Sequence, residues 1–258
     1  MTDMSRPPGH PPGPRESAAA GHHLAYARGE TGRPLLDRTI GADLERAISR
    51  FGDREALVDV AGGRRWTYAE LGRAVDEVAL GLLAKGVRKG DRVGIWAPNC
   101  PEWVLVQYAT ARIGAIMVNI NPAYRVHELA YVLKQAGMSV LVSAVAHKSS
   151  DYRRMIEQVR AESRALRDVI YIDDPTWDGL LAAGATVPYE RLAACAKELS
   201  PHDPVNIQYT SGTTGFPKGA TLSHHNILNN GFWVGETVGY TSTTGSVCRC
   251  PSTTASAW

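Results

Sequence analysis

Arg92-Val-Gly-Ile-Trp96 opens the stretch that decides the fold. It reads as a strand; residues 101–112 then read as a helix, 115–119 as a strand, 126–135 as a helix and 139–143 as a further short apolar strand. Strands separated by helices of about 10–15 residues imply crossover connections and a mainly parallel sheet. Right-handed crossovers place helices on both faces of such a sheet. The predicted class is α/β.

The same alternation extends outward. Upstream, Ala56-Leu-Val-Asp-Val60 is an apolar strand, and Gly62-Gly63 is a hairpin turn signal leading to Arg65-Trp66. Thr67 with Glu70 three residues later forms a capping box ahead of the apolar periodicity of residues 71–83, and Gly86 supplies a stop. Downstream, residues 149–162 read as an amphipathic helix and 168–172 as a strand. Pro175, Gly184 and Pro188 then interrupt the pattern, so a boundary between layers or subdomains is expected near residues 175–203, with a short surface helix over 189–199. Residues 1–34, rich in Pro and Gly, are expected to form a disordered extension. They contain no apolar central region of a secretory signal, and their prolines break the amphipathic helix a transit peptide needs.

Composition narrows the function classes. The 258 residues are 44% hydrophobic and 21% charged, which is ordinary globular usage. A formal net charge of +2 supplies no general field for nucleic acid or anionic lipid, so no nucleic-acid partner is expected. No run approaches the roughly 18 consecutive apolar residues of a membrane span. Four cysteines, with Cys100 and Cys195 isolated and Cys248 close to Cys250, make no disulfide framework and fit a reducing compartment, read as the cytoplasm.

One segment carries chemistry. Val205-Asn-Ile-Gln-Tyr209 reads as a strand running into a loop of Thr210, Ser211, Gly212, Thr213, Thr214, Gly215, Phe216, Pro217, Lys218 and Gly219. Gly212 and Gly215 permit a close backbone approach that a side chain would block. Successive N–H groups can form an anion-binding nest, the hydroxyls of Thr210, Ser211, Thr213 and Thr214 add donors, and Lys218 adds a mobile positive charge for a polyphosphate. The Walker pattern of Gly-Lys-Ser/Thr is absent, since Pro217 precedes Lys218 and Gly219 follows it. Such a loop is not held by a helix N-terminus and is expected to move when empty. Ser223 is a reasonable cap for the helix that follows.

Residues 207–218 resemble the AMP-binding signature of the adenylate-forming enzymes, the group of acyl-CoA synthetases, luciferases and peptide-synthetase adenylation domains. Ala97-Pro-Asn-Cys-Pro-Glu-Trp103 and Asn119-Ile-Asn-Pro-Ala-Tyr-Arg125 are similar to the fatty-acyl-CoA synthetase branch, and the resemblance covers residues 35–241. It implies a two-step ligase. ATP and a fatty or other carboxylic acid give an acyl-adenylate and pyrophosphate, and the thiol of coenzyme A then takes the acyl group. It implies ATP, Mg²⁺ and coenzyme A as cofactors and co-substrates, with residues 210–218 on the ATP phosphates and a loop threonine near the metal. Family members run to roughly twice this length, so residues 35–240 are expected to be an incomplete N-terminal AMP-binding domain, without a catalytic residue of their own and inactive as such. The alternative is a non-catalytic nucleotide-binding remnant. Acyl chain length and oligomeric state are not legible.

From Thr241 to Trp258, Ser and Thr supply nine of eighteen residues and Arg249 is the sole charge. Shifting the codon frame of residues 247–258 permits, at every position, a run of the type Leu-Pro-Val-Pro-Leu-Tyr-His-Cys-Phe-Gly-Met expected of the family there. Residues 241–258 are therefore expected to be an out-of-frame tail. No metal ligand is assigned. Cys248 and Cys250 lack neighbouring partners, and His224 and His225 point about 100° apart on a helix, favouring a helix-start or packing role. Trp66, Trp96 and Trp103 are read as core, and Arg153, Arg154, Arg160, Arg164 and Arg167 as a solvated face interleaved with Glu157 and Glu162.

Overall fold

The computed structural model describes residues 32–210 and 217–246. The chain divides into Met1–Pro34 and Leu35–Trp258, and the fold described is that of the second unit. Its elements begin with α1 (Ile40–Phe51), the ribbon β1 (Glu55–Asp59) and β2 (Arg64–Thr67), α2 (Tyr68–Ala84), β3 (Arg92–Trp96), α3 (Pro101–Ile113) and β4 (Ile116–Asn119). They continue with α4 (Val126–Ala136), β5 (Val140–Ser143), the small ribbon β6 (Ala146–His147) and β7 (Ser150–Asp151), α5 (Tyr152–Arg160) and β8 (Asp168–Tyr171). Last come α6 (Pro175–Gly184), α7 (Glu190–Lys197), β9 (Pro204–Thr210), β10 (Lys218–Ser223) and α8 (His224–Thr237).

Six strands form the central sheet in the order β10-β9-β4-β3-β5-β8. All neighbours pair in parallel except β10 with β9. The period-two alternation of the strands sorts the two faces. Val93, Ile95, Met117, Val140 and Val142 point to one side, where Val75, Val78 and Leu82 of α2 and Val106 of α3 bury them. Trp96, Val118 and Leu141 point to the other, against Leu129 and Leu133 of α4 and Ile156 of α5. Each fully buried aliphatic side chain contributes about 1.5–3 kcal/mol, so a slip of one residue in β3, β4 or β5 would exchange the faces at large cost.

Local signals explain most element boundaries. Thr67 Oγ1 accepts the Glu70 N–H at 3.2 Å and Glu70 Oε2 accepts the Thr67 N–H at 2.8 Å, the reciprocal cap that starts α2. Gly62 and Gly63 lie in the turn between β1 and β2.

Three expectations change. The helix expected over 149–162 is α5 alone, because Ser150–Asp151 pairs with Ala146–His147 and Asp151 Oδ1 accepts the Arg154 N–H at 3.0 Å as the cap. The expected boundary near 175–203 is absent from the unit that begins at Leu35. Pro175 opens α6, where its missing N–H costs nothing, and Asp174 Oδ1 caps that helix by accepting the Thr176 N–H at 3.0 Å. Gly184 is a point of contact: a Cβ there would lie 2.6 Å from the Gly81 nitrogen of α2. The apolar rhythm is weak there because Gly184 replaces a side chain at the close approach, while Leu180 alone of α6 is a fully buried apolar residue. The third change concerns Lys218 and Gly219, which belong to β10 instead of the loop before it.

Candidate functional site: the β9–β10 hairpin

In open α/β sheets ligands bind outside the carboxyl ends of the parallel strands. Here those ends gather Trp96 from β3, Asn119 from β4 and Thr210 from β9. At Thr210 the chain leaves β9, and at Lys218 it returns as β10. The two residues are register partners, and Thr210 Oγ1 donates to the Lys218 carbonyl at 3.5 Å. Both are exposed. Ser211, Gly212, Thr213, Thr214, Gly215 and Phe216 lie outside the described residues; Pro217 is half-buried.

The flanks of this mouth are chemically different. On one face of the sheet, Asn206 Nδ2 donates to Asn119 Oδ1 at 3.3 Å, and the buried Asn206 Oδ1 has no partner among the described residues. Gln208 continues this row two residues on. On the other face, Tyr209 stands with Tyr124 and Tyr131 nearby, and burial pushes its hydroxyl up to about 12. Tyr209 also covers Gly219, its cross-strand partner, where an added Cβ would meet Ile207 Cγ2 at 3.0 Å and the Tyr209 ring at 3.4 Å. Tyr209 therefore stays neutral at physiological pH.

Lys218 makes no ion pair among the described residues, so its ammonium is free to meet an anion. A second concavity, of about 260 Å³, includes Arg64, Glu102, Asp173, Asp174 and Asp178 in its lining. Four carboxylates against one guanidinium repel a polyphosphate there, and Glu102 already holds Arg64 at 2.5 Å. Among the described residues, the hairpin mouth instead places a hydroxyl and an ammonium without an ion pair on facing strands, donors of the kind an anion needs.

The motif residues 97–103 and 119–125 brace this end of the sheet. Trp96 is fully buried, stacks on Tyr152 with centroids 3.7 Å apart, and donates its indole N–H to the Asn121 carbonyl at 3.1 Å. The Tyr152 hydroxyl donates to the Pro122 carbonyl at 2.5 Å. Burial pushes the Cys100 thiol up to about 12, which leaves it unreactive. Trp96 is core, and Trp66 and Trp103 pack against core, as read from sequence. The arginine face is paired in part: Arg153 meets Asp174 at 2.5 Å and Arg167 meets Asp91 at 3.5 Å.

Beyond the hairpin, Ser223 Oγ accepts the Asn226 N–H at 3.2 Å, the expected cap of α8. His224 is fully buried, and its Nδ1 accepts the Ile40 N–H at 3.3 Å, which gives it the packing role. Sequence reasoning missed the Asn119–Asn206 pair and the Tyr124, Tyr131 and Tyr209 group. Asn119 and Tyr124 lie in the quoted 119–125 motif, but their partners do not follow from spacing, because the parallel pairing of β4 with β9 and the position of α4 bring them together.

A family model described as AMP-binding enzyme matches residues 44–252. This chain belongs to the AMP-binding enzyme family. The match runs past Thr241, where the sequence reading ended the resemblance, into residues outside those described. The mitochondrial medium-chain acyl-CoA ligase ACSF2 of Macaca fascicularis is 46% identical over 232 residues, covering 83% of this chain and 38% of that protein. The putative acyl-CoA synthetase YngI of Bacillus subtilis is 35% identical over 227 residues, covering 81% and 41%. The inhibitor-bound N-terminal domain of FACL13 from Mycobacterium tuberculosis superimposes with a TM-score of 0.63 at 28% identity, covering 72% of this chain and 44% of that one. The chain spans about two fifths of the length of these curated relatives. No helix among its described residues is long and apolar enough to cross a membrane.

Proposed function

We propose that the β9–β10 hairpin is the phosphate-gripping part of an ATP-dependent fatty acid–CoA ligase. A carboxylate oxygen attacks the α-phosphorus of ATP, an acyl-adenylate forms and pyrophosphate leaves; the thiol of coenzyme A then displaces AMP. The observation that carries the reading is the pairing of Thr210 with Lys218 at the carboxyl end of a parallel sheet, in a chain of this family. Negative charge builds on the leaving pyrophosphate, and donors fixed in advance stabilise it without reorganising. Lys218 neutralises part of that charge, and residues 210–217 supply backbone N–H groups and hydroxyls. Mg²⁺, when bound, neutralises further phosphate charge, and the Thr210, Thr213 and Thr214 hydroxyls are the hard oxygen donors suited to it.

The names of the ACSF2 relatives support an acid of medium chain length, and the free thiols of Cys100 and Cys195 support a reducing compartment such as the cytoplasm. Within these 258 residues the site is one wall, so we infer that they do not turn over alone; their coverage of two fifths of the relatives supports this. We also infer that the stretch from Thr241 is out of frame. The alternative-frame match supports it, the family match to residue 252 weighs against it, and the DNA sequence across these codons decides it.

Pyrophosphate release with ATP, Mg²⁺ and octanoate tests the function. The 258-residue chain is expected to release none above background, and residues 35–240 joined to the remaining part of a medium-chain acyl-CoA ligase are expected to restore release. A joined protein that binds ATP without turnover would favour the nucleotide-binding remnant.

A further inference from the structure

Three segments distant in sequence converge beside the start of α8. Asp37 precedes α1, His202 lies in the turn before β9, and His225 is in the first turn of α8; one ligand atom from each lies within 4.8 Å of the other two. We propose that these three side chains form a binding site for a zinc-class divalent cation, separate from the phosphate hairpin.

The backbone around the three is tied in place. The His225 N–H donates to the Pro201 carbonyl at 2.7 Å and the His224 N–H to the Asp203 carbonyl at 3.3 Å, which seats the turn carrying His202 on α8. Within that turn the Ser200 N–H donates to Asp203 Oδ2 at 2.8 Å, and Lys89 holds Asp203 at 2.8 Å. On the other side, Asn229 of α8 clamps the backbone before Asp37. Its Oδ1 accepts the Leu36 N–H at 2.7 Å and its Nδ2 donates to the Leu36 carbonyl at 3.0 Å. The same Asn229 Nδ2 donates to the His225 carbonyl at 2.9 Å and lies 3.4 Å from His225 Nδ1, a contact that an ion on that nitrogen would replace; Asp37 and His202 are exposed and can adjust. Ligand atoms about 2.0–2.1 Å from a tetrahedral ion sit about 3.4 Å apart, a small closure from the spacing seen.

The donors set the class of ion. Two imidazoles and one carboxylate suit zinc, with water in the fourth position, whereas Mg²⁺ prefers oxygen ligands. The rings of His202 and His225 are 5.0 Å apart between centroids and tilted by 39°, so they are not closed on each other by stacking. Asp37 has no ion pair among the described residues and brings the negative charge that the first turn of α8 lacks. A bound ion would tie the segment before α1 and the turn before β9 to the helix that continues the phosphate hairpin.

Zinc titration of the whole 258-residue chain, with Co²⁺ as a spectroscopic substitute, tests this. One equivalent is expected, with a tetrahedral Co²⁺ spectrum free of thiolate charge-transfer absorption, no competition from Mg²⁺, and a zinc-dependent rise in thermal midpoint. His202→Gln and Asp37→Asn, both at exposed positions, are expected to weaken binding by about tenfold or more and to abolish that rise. Unchanged affinity in both variants, or a thiolate-type spectrum, would place the metal elsewhere and overturn the site.

Discussion

Burial withdraws the His224 ring from water, lowering its pKa from 6.5 to about 4, against the smaller opposing pull of Asp203. The neutral ring is thus the folded form. Above about pH 6.5 the ring is neutral in both states and its contribution is fully present; between 6.5 and about 4 only the unfolded chain takes the proton, and stability falls. Lowering the pH from 7 to 5 is expected to cost the wild type about 2 kcal/mol more than His224→Gln, read from urea midpoints. Equal losses would mean that the ring is not held neutral. His224 shows the limit of sequence reading at this scale. A packing role could be read from its place after Ser223, but not its contact with Ile40, which depends on the return of the chain to α1.

At the scale of elements, apolar rhythm and caps carried most of the information. Arg92–Trp96 is a strand over the residues expected, and the Thr67–Glu70 box starts α2 where its spacing places it. α6 was hard to read because glycines bring it close to α2: Leu180 is buried over Gly81, and Gly184 approaches the α2 backbone directly. An added Cβ on Gly184 meets the Gly81 nitrogen at 2.6 Å and the Glu77 carbonyl oxygen at 3.0 Å, and neither is a flexible side chain. Gly184→Ala is therefore expected to push α6 away from α2 and to destabilise the chain by about 1–3 kcal/mol, despite the better helix propensity of alanine. A stabilised variant in the same urea titration would contradict the close approach. The hairpin was half legible: its residue types suggested a phosphate-binding loop, and only the register shows Lys218 seated on a strand opposite Thr210.

At the scale of the chain, the sheet among the described residues ends at β10, which pairs on one side only. Trp233, Val234, Val238 and Tyr240, in α8 and just after it, are exposed. An open edge strand and exposed apolar side chains favour association, so light scattering is expected to show self-association of this chain at micromolar concentration. A monomer that melts cooperatively would count against that. The α/β class and the family motifs were legible because both rest on local pattern; the zinc-class cluster was not, because Asp37, His202 and His225 meet only through tertiary backbone ties. Titrating MgATP and inorganic pyrophosphate into the wild-type chain and Lys218→Gln, following tryptophan fluorescence, tests whether the hairpin grips polyphosphate through Lys218. Both ligands should bind the wild type, and the variant should bind them about tenfold to a hundredfold more weakly, the loss of one charge-assisted contact. Equal affinity in the two proteins would contradict it.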